Sequence, residues 1–400
     1  MYRLYIIKRW IEDVIMFPFI LLGKLIAMLQ PKKPEYDIWF FFPFYHVGGA
    51  EKVHAQVAQA LGGKNCIIYF TRRSHNQLFY DQFAQSGCEI RDISRYTDNK
   101  LIYFVNILFR GIIACHINRQ QKRPVVFNGQ CNFGYKISPW IKKSIPQVEL
   151  IHSFNSFSWI RIPFLPFIRQ TVMISKVRIE NHLAQYRTLG VPTKYDERIR
   201  YISNGIPIVG RPPEKKHDSL RVLYVGRATS EKRVHLVAKI AQAFKQTDPD
   251  AEFTFVGDAE TVVARELHQY CNFRPFETDE HTLRSIYDAA DILMIVSDTE
   301  GFPMVVMEAM ARGCAIIATP VGDLPLHIKN EVNGFIFTTV DDEKQIVSEG
   351  VEYIRRLKAD VPLRKSIMAN NVHYAETHFS IETFNRNYRE LISSLKQPGN

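Results

Sequence analysis

The chain has 400 residues, 46% hydrophobic and 23% charged; this excludes a disordered protein and is too long for one ordinary core, so two domains of roughly 150–200 residues are expected. Six cysteines with no CxxC pair exclude a disulfide framework or a zinc site and read as reduced thiols of a cytosolic protein. The net charge of +10 is lopsided: residues 206–375 hold 20 Lys and Arg against 25 Asp and Glu, leaving 31 against 16 elsewhere, so one half is expected to face an anionic surface or substrate.

The run VIMFPFILLGKLIAML, residues 14–29, is interrupted by Pro18 and Lys24. It is shorter than the roughly 20 residues of a spanning helix, and no small-residue cleavage site follows it. Arg3, Lys8, Arg9, Lys32 and Lys33 flank it, with Tyr2, Tyr5 and Trp10 near its start. Residues 1–33 are therefore expected to form an in-plane or re-entrant segment in peripheral contact with an anionic membrane. The competing reading is a helix packed on the domain itself. Arg110, Arg119, Lys122, Arg123, Lys142 and Lys143 either add to the membrane attraction or are solvated charge on helix ends. No basic–aromatic module for nucleic acid is present.

YDIWFFFPF then reads as a buried strand, HVGGAEKVHAQVAQALGG as a glycine loop and helix, and NCIIYFT as a strand. Strand-then-helix units recur at RPVVFNG, VELIHSF and TVMISKVRIENHLAQY. Ile202–Ser219, rich in Gly, Pro and charge, reads as a linker. A second series follows: strands at LRVLYVGR, AEFTFVGD, DILMIVS and CAIIATP, and helices at EKRVHLVAKIAQAFKQ, HTLRSIYDAA and PMVVMEAMARG. GFIF reads as an apolar turn, and residues 343–358, 361–376 and 380–396 as helices. Strands alternating with helices imply parallel sheets. The fold class is α/β, two tandem Rossmann-like doubly wound domains: 34–205 with the C-terminal helix 378–400, and 206–377. Ligand is expected at strand carboxyl ends in an interdomain cleft.

The stretch SDTEGFPMVVMEAMARGCAII, Ser297–Ile317, carries the most chemistry. Pro303 suits the first helical position, where a missing N–H is no loss. The first amides of the helix behind it form a ready anion site. Glu300 lies beside that site, and Glu308 is about a turn and a half inside an almost wholly apolar helix, where a lone carboxylate is costly. Either Glu308 pairs with Arg312 at i,i+4 and Glu300 is a loop acid, or both carboxylates accept hydrogen bonds from ligand hydroxyls while the amides hold a phosphate. Arg227 and Lys232 read as cations at the start of a helix, a position disfavoured by the macrodipole unless an anion lies between them.

The glutamate–seven residues–glutamate spacing, with VGRATSEKR, FVGD, ISNGI and GGAEK, resembles the retaining nucleotide-sugar glycosyltransferases of glycosyltransferase family 4, which have the GT-B fold. The resemblance runs from about Tyr36 to the C-terminal helix and is strongest over residues 220–340. It implies that Arg227 and Lys232 neutralise the donor diphosphate and that Glu300 holds hydroxyls of the transferred sugar. Glu308 would hold the ribose hydroxyls, His152 a sugar hydroxyl, and His46 is a weaker candidate. Gly48, Gly49, Gly257 and Asp258, with the backbone of Phe302, Pro303, Met304 and Val305, would line the donor. It also implies front-face retention without a protein nucleophile, no metal and no cofactor beyond the nucleotide-diphosphate sugar. The acceptor would be a glycan or glycolipid of the cell envelope, as in polysaccharide or lipopolysaccharide synthesis, at the inner face of the cytoplasmic membrane. The hydrophobic extension before the first strand departs from many family members. Two other classes compete: a catalytically silent sugar-nucleotide-binding subunit, and a dinucleotide oxidoreductase, which would want GxGxxG directly after the first strand where HVGGAEK stands.

Overall fold

The computed structural model describes residues 1–215 and 219–396. The expected linker includes residues 216–218 and the expected C-terminal segment residues 397–400, which lie outside the described residues. The chain divides into two compact units, Met1–Ser203 with Phe384 onward, and Asn204–Thr383.

The first unit is built on seven parallel strands, β1 (Ile38–Phe42), β2 (Cys66–Phe70), β3 (Glu89–Asp92), β4 (Val125–Asn128), β5 (Gln147–Ile151), β6 (Gln170–Met173) and β7 (Ile199–Tyr201). Their order is β3-β2-β1-β4-β5-β6-β7. The second holds β8 (Arg221–Gly226), β9 (Glu252–Gly257), β10 (Asn272–Arg274), β11 (Ile292–Ile295), β12 (Ala315–Ala318) and β13 (Gly334–Ile336), in the order β10-β9-β8-β11-β12-β13. Both follow the doubly wound pattern, reversing direction after the first strand laid down. The inner strands IWFFF, CIIYF and ILMI are buried along their whole length, as expected where helices cover both faces of a parallel sheet. Three strands were not expected: EIRD, IRY and NFR are short and partly exposed, and edge strands carry charge that hides their pattern. GFIF is not a turn: its first three residues form β13, paired with β12. A Cβ on Gly334 would strike the Ile316 carbonyl oxygen, so the glycine permits that pairing.

The N-terminal hydrophobic run is part of a longer helix, α1 (Tyr2–Leu29), with Pro18 inside it. After α2 (Gly49–Leu61) comes α3 (Tyr103–Asn118), on which α1 packs. They cross where Gly23 meets Gly111: a Cβ on either would collide with a backbone carbonyl of the other helix, Leu108 or Ile20. Arg110 is not a surface cation. It is buried and donates to Asn106 Oδ1 at 2.9 Å and to the Tyr103 hydroxyl at 3.0 Å. Arg119 Nη1 caps α1 at the Ala27 carbonyl, 2.8 Å away. Residues 100–118 are long and apolar enough to cross a membrane, with mean hydropathy 1.5, but half of that stretch is buried inside the protein. The C-terminal helix Ile381–Lys396 ties into the first unit through Arg389 Nε to the Ala60 carbonyl (3.0 Å) and Lys396 to Asp37 (3.3 Å).

In the second unit the helices that matter for the site are α4 (Val234–Lys245), α5 (Glu280–Ala289) and α6 (Met304–Ala311).

Candidate functional site

In a doubly wound sheet the loops after the two strands at the reversal point diverge and leave a crevice. In the second unit those strands are β8 and β11, and their loops carry Arg227–Lys232 and Ser297–Pro303. The structure brings one residue from each into contact: Lys232 Nζ lies 2.6 Å from Glu300 Oε1. Ser297 Oγ donates to the same oxygen at 2.7 Å. The lysine side chain is 22% exposed and the glutamate 9%, so this is a half-sheltered ion pair.

The backbone reason corrects one expectation. Lys232 does not stand in the first turn of a helix. It ends a 3₁₀ turn, Ser230–Lys232, and Arg233 adopts a left-handed conformation (φ 47°) before α4 begins at Val234. No helix macrodipole therefore opposes its charge, which is answered by Glu300. Arg233 sustains its unusual backbone by clamping the end of β11, donating to the carbonyls of Val296 (2.8 Å), Ser297 (3.2 Å) and Val340. Arg227 is exposed, with its carbonyl accepting the Tyr224 hydroxyl at 2.7 Å.

The glycine and aspartate that end β9 support the same loop. Gly257 has φ 138°, and a Cβ there would strike the Gly226 carbonyl oxygen, so both strand ends need glycine to lie this close. Asp258 Oδ1 accepts from the Ala228 amide at 2.6 Å. The Glu300 loop is held from below: Thr319 Oγ1 donates to the Ser297 carbonyl at 2.6 Å, and the Asp323 amide to that of Gly301 at 2.8 Å.

Pro303 precedes α6 in extended conformation (φ −67°, ψ 134°) and is not its first residue, which is Met304. The Phe302 ring is buried against His327 (4.2 Å between centroids) and Phe379 (5.2 Å), so it offers a ligand its backbone alone. Met304 is buried and Val305 half-buried. Glu308 does not pair with Arg312. Its Oε2 accepts the Tyr287 hydroxyl of α5 at 2.8 Å. Arg312 turns instead to Asp288 Oδ1 (2.6 Å) and the Val209 carbonyl (2.9 Å). Burial, together with the Glu308 carboxylate, pushes the Tyr287 hydroxyl well above its usual range, so it stays a donor.

The first unit has its own reversal point, between β1 and β4. Gly48 and Gly49 open α2 after β1. Gly48 is extended (φ 175°). A Cβ at Gly49 would meet nothing within 4 Å, so the chain there faces open space. His46 Nε2 sits 3.7 Å from Glu51 Oε1. His152 follows β5 directly; its amide donates to Gln130 Oε1 at 3.2 Å, and Gln130 itself has φ 56°. The His152 ring meets His54 of α2, Nε2 to Nε2, at 2.8 Å. His54 is stacked on Phe42 with centroids 4.6 Å apart. Burial pulls His152 down to about 4 and, with its neighbour, His54 well below the usual histidine range. Both rings are neutral near pH 7, so one Nε2 donates to the other and the two tautomers are opposed.

Sequence reasoning missed His54, Gln130, Ser297, Arg233 and Tyr287. It also missed a fully buried ion pair beneath β5: Arg161 grips Glu149, with Nε–Oε2 at 3.0 Å. Tyr135 (2.8 Å) and Thr171 (2.6 Å) donate to the same carboxylate. Burial pushes the Glu149 carboxyl up, but the Arg161 charge and these donors outweigh it and hold it below the usual range. Among the described residues no group of three His, Cys, Asp or Glu side chains is placed to hold a metal ion.

Residues 210–372 match the family model described as glycosyl transferases group 1. The chain is 29% identical over 193 residues to the amylovoran biosynthesis glycosyltransferase AmsK of Erwinia amylovora, covering 45% of this chain and 46% of that one. It thus spans about half or less of the first curated relatives it matches. Among solved structures it resembles Anabaena HepE in complex with UDP-glucose (TM-score 0.70, 19% identity, 89% of this chain and 99% of that one). It also resembles the lipopolysaccharide outer core galactosyltransferase WaaB in its apo form (TM-score 0.64, 19% identity, 89% and 99%). At such identities the structures establish the fold: two parallel sheets with alternating helices, the GT-B arrangement. Over residues 210–372, the chain is thus similar to the glycosyl transferases group 1 family.

Proposed function

We propose that the protein is a retaining hexosyltransferase, taking its sugar from a nucleotide diphosphate and passing it to a hydroxyl of a glycolipid or polysaccharide of the cell envelope. The observation that carries this reading is the meeting of Lys232 and Glu300 from the two loops at the reversal point of the second sheet. A cation and a carboxylate there suit a ligand that carries diphosphate and hydroxyls together.

Lys232, together with Arg227, neutralises the diphosphate as the C1–O bond to it breaks. Glu300 accepts from hydroxyls of the hexose, and Glu308, oriented by Tyr287, accepts from the ribose. We assign Gly257 and Asp258 to shaping the loop over the nucleotide, and the backbone of Phe302–Val305 to the sugar and phosphate. His152 and the Gly48–Gly49 loop are assigned to the donor sugar. The acceptor oxygen attacks C1 on the face that the diphosphate leaves, the new O–C1 bond forms there, and the acceptor proton passes to a leaving phosphate oxygen. Configuration is kept, and the protein's own cations supply the charge neutralisation, so no metal is required. Positioning and leaving-group stabilisation carry the rate. Transfer takes place on the cytoplasmic side, at the membrane, where lipid-linked acceptors are found.

A thermal-shift screen of UDP-, GDP- and ADP-hexoses tests the donor class, since a donor at 100 times its Kd adds about 2.7 kcal/mol. NMR of the product anomer tests retention. Slow donor hydrolysis by wild type that is lost in Glu300→Ala excludes a silent binding subunit; absence of any donor-dependent shift or turnover overturns the reading.

A further inference from the structure

A helix on a protein–water surface turns its charges outward and its apolar stripe inward. The α1 helix does the reverse. Leu4, Ile7, Ile11, Val14, Leu22 and Leu25 recur at helical spacing with Pro18 between them, share one face, and are each 47–67% exposed. Arg9, Glu12, Asp13 and Lys24 turn away from that face and have partners within the protein. Glu12 binds Lys136 at 2.6 Å, Asp13 faces Arg9 at 3.8 Å, Arg9 lies over the Phe167 ring, and Lys24 lies over that of Trp140. Leu101, in the 3₁₀ turn just before the helix that α1 packs on, and Phe104 in its first turn are exposed too. At about 1.5 Å per residue the apolar strip from Leu4 to Leu25 is about 32 Å long, and a contiguous exposed apolar face of this kind marks an interaction surface.

We propose that the outer face of α1, continued by Leu101 and Phe104, is the surface by which the protein lies in an anionic lipid bilayer, with the helix axis in the membrane plane. This names the contact behind the membrane-side placement proposed above, yet it stands on the chemistry of α1 and not on the transferase reading. The helix lies on the bilayer and does not cross it. A crossing helix meets lipid all round, whereas the inner face of α1 is seated on α3 at Gly23 and carries its charges into protein partners. Exposed Arg3, Lys8 and Lys32 rim the strip. Anionic headgroups answer such a rim, each cation contributing about 1 kcal/mol near the surface. Two copies of the chain meeting through this face would set like charges against each other.

The test is co-sedimentation of the full chain with vesicles of POPC and POPG at 3:1, alongside vesicles of POPC alone. Wild type is expected to bind the POPG vesicles, more weakly in high salt, and brominated lipid is expected to quench Trp10. Ile7→Gln, Ile11→Gln, Leu22→Gln and Leu25→Gln together are expected to lower the partition coefficient at least about 100-fold. These side chains are exposed, so melting temperature and circular dichroism are expected to hold. Arg3→Glu with Lys8→Glu, which leaves the apolar strip intact, is expected to abolish the preference for POPG. Wild type that fails to bind, a fourfold variant that binds as well as wild type, or a soluble dimer that the fourfold variant dissolves would each overturn the proposal. Donor-dependent thermal shifts in the same samples keep the two readings apart: vesicle binding without any donor response leaves this inference standing and removes the transferase one.

Discussion

Glu300→Gln separates the two partners that compete for Lys232. In the structure Glu300 Oε1 holds Lys232 at 2.6 Å and accepts from Ser297 at 2.7 Å. An amide at the same place keeps the Ser297 bond and the loop but removes the negative charge. If Lys232 serves the diphosphate, the resting ion pair must be shared or broken when nucleotide binds. A half-sheltered pair of this kind contributes up to about 1 kcal/mol, so the variant is expected to bind bare nucleotide diphosphate up to about fivefold more tightly. Transfer moves the other way. A hydrogen bond from a sugar hydroxyl to a charged acceptor contributes about 1.5–3 kcal/mol, which lowers kcat/KM roughly 10- to 150-fold. Lys232→Met is expected to weaken nucleotide diphosphate and to lower kcat by about 10²–10³. Titration calorimetry with UDP and GDP, beside a nucleotide-release assay, reads both. A Glu300→Gln protein that binds the nucleotide more weakly, or a Lys232→Met protein that binds it unchanged, would refute the assignment of these two side chains.

Arg161→Met leaves the Glu149 carboxylate buried without its counter-charge and is expected to cost about 3–5 kcal/mol in chemical denaturation, with most of that recovered in Arg161→Met/Glu149→Leu. The histidine pair makes stability depend on pH. His152 titrates at about 4 in the fold against about 6.5 unfolded, so the unfolded chain binds more protons between those values. Stability is present above about 6.5 and is lost as pH falls toward about 4, by up to about 1.4 kcal/mol per unit for each such histidine; His54→Phe/His152→Phe is expected to flatten the slope in melts from pH 7.5 to 4.5. Gly257→Ala forces a Cβ toward the Gly226 carbonyl at φ 138° and is expected to lose about 1–3 kcal/mol, with weaker nucleotide binding by calorimetry. Tyr287→Phe removes the donor that orients Glu308 and is expected to raise KM for the donor more than it lowers kcat.

What could be read from the sequence, and what could not, divides along one physical line. The alternation of apolar strands and helices, and the two loops after β8 and β11, are local patterns, and they sufficed to single out Lys232 and Glu300 before any contact between them was visible. Partners chosen by tertiary packing were not legible. The i,i+4 rule offered Arg312 to Glu308, but that rule ranks only neighbours on one helix. In the fold Arg312 reaches Asp288 and two backbone carbonyls of residues 209 and 210, a set of acceptors that a single half-buried carboxylate does not match, and Glu308 accepts from a tyrosine 21 residues away. His54 sits among the alanines and valines of α2, with nothing nearby to mark it, because its partner is 98 residues off. The expectation of a helix at Lys232 fails because nothing in EKRV announces that Arg233 turns left-handed; its side chain is held by the carbonyls of Val296 and Ser297, just after β11, and of Val340. The same reasoning explains α1. Its residues alone allow either an anchor or a helix packed on the domain, since period and composition are the same in both. The direction of Arg9, Glu12 and Asp13 decides which face is which, and that direction is set by Lys136, Phe167 and the α3 backbone. One face packs on the domain, and the opposite, exposed face is apolar; the membrane contact proposed above rests on that second face alone.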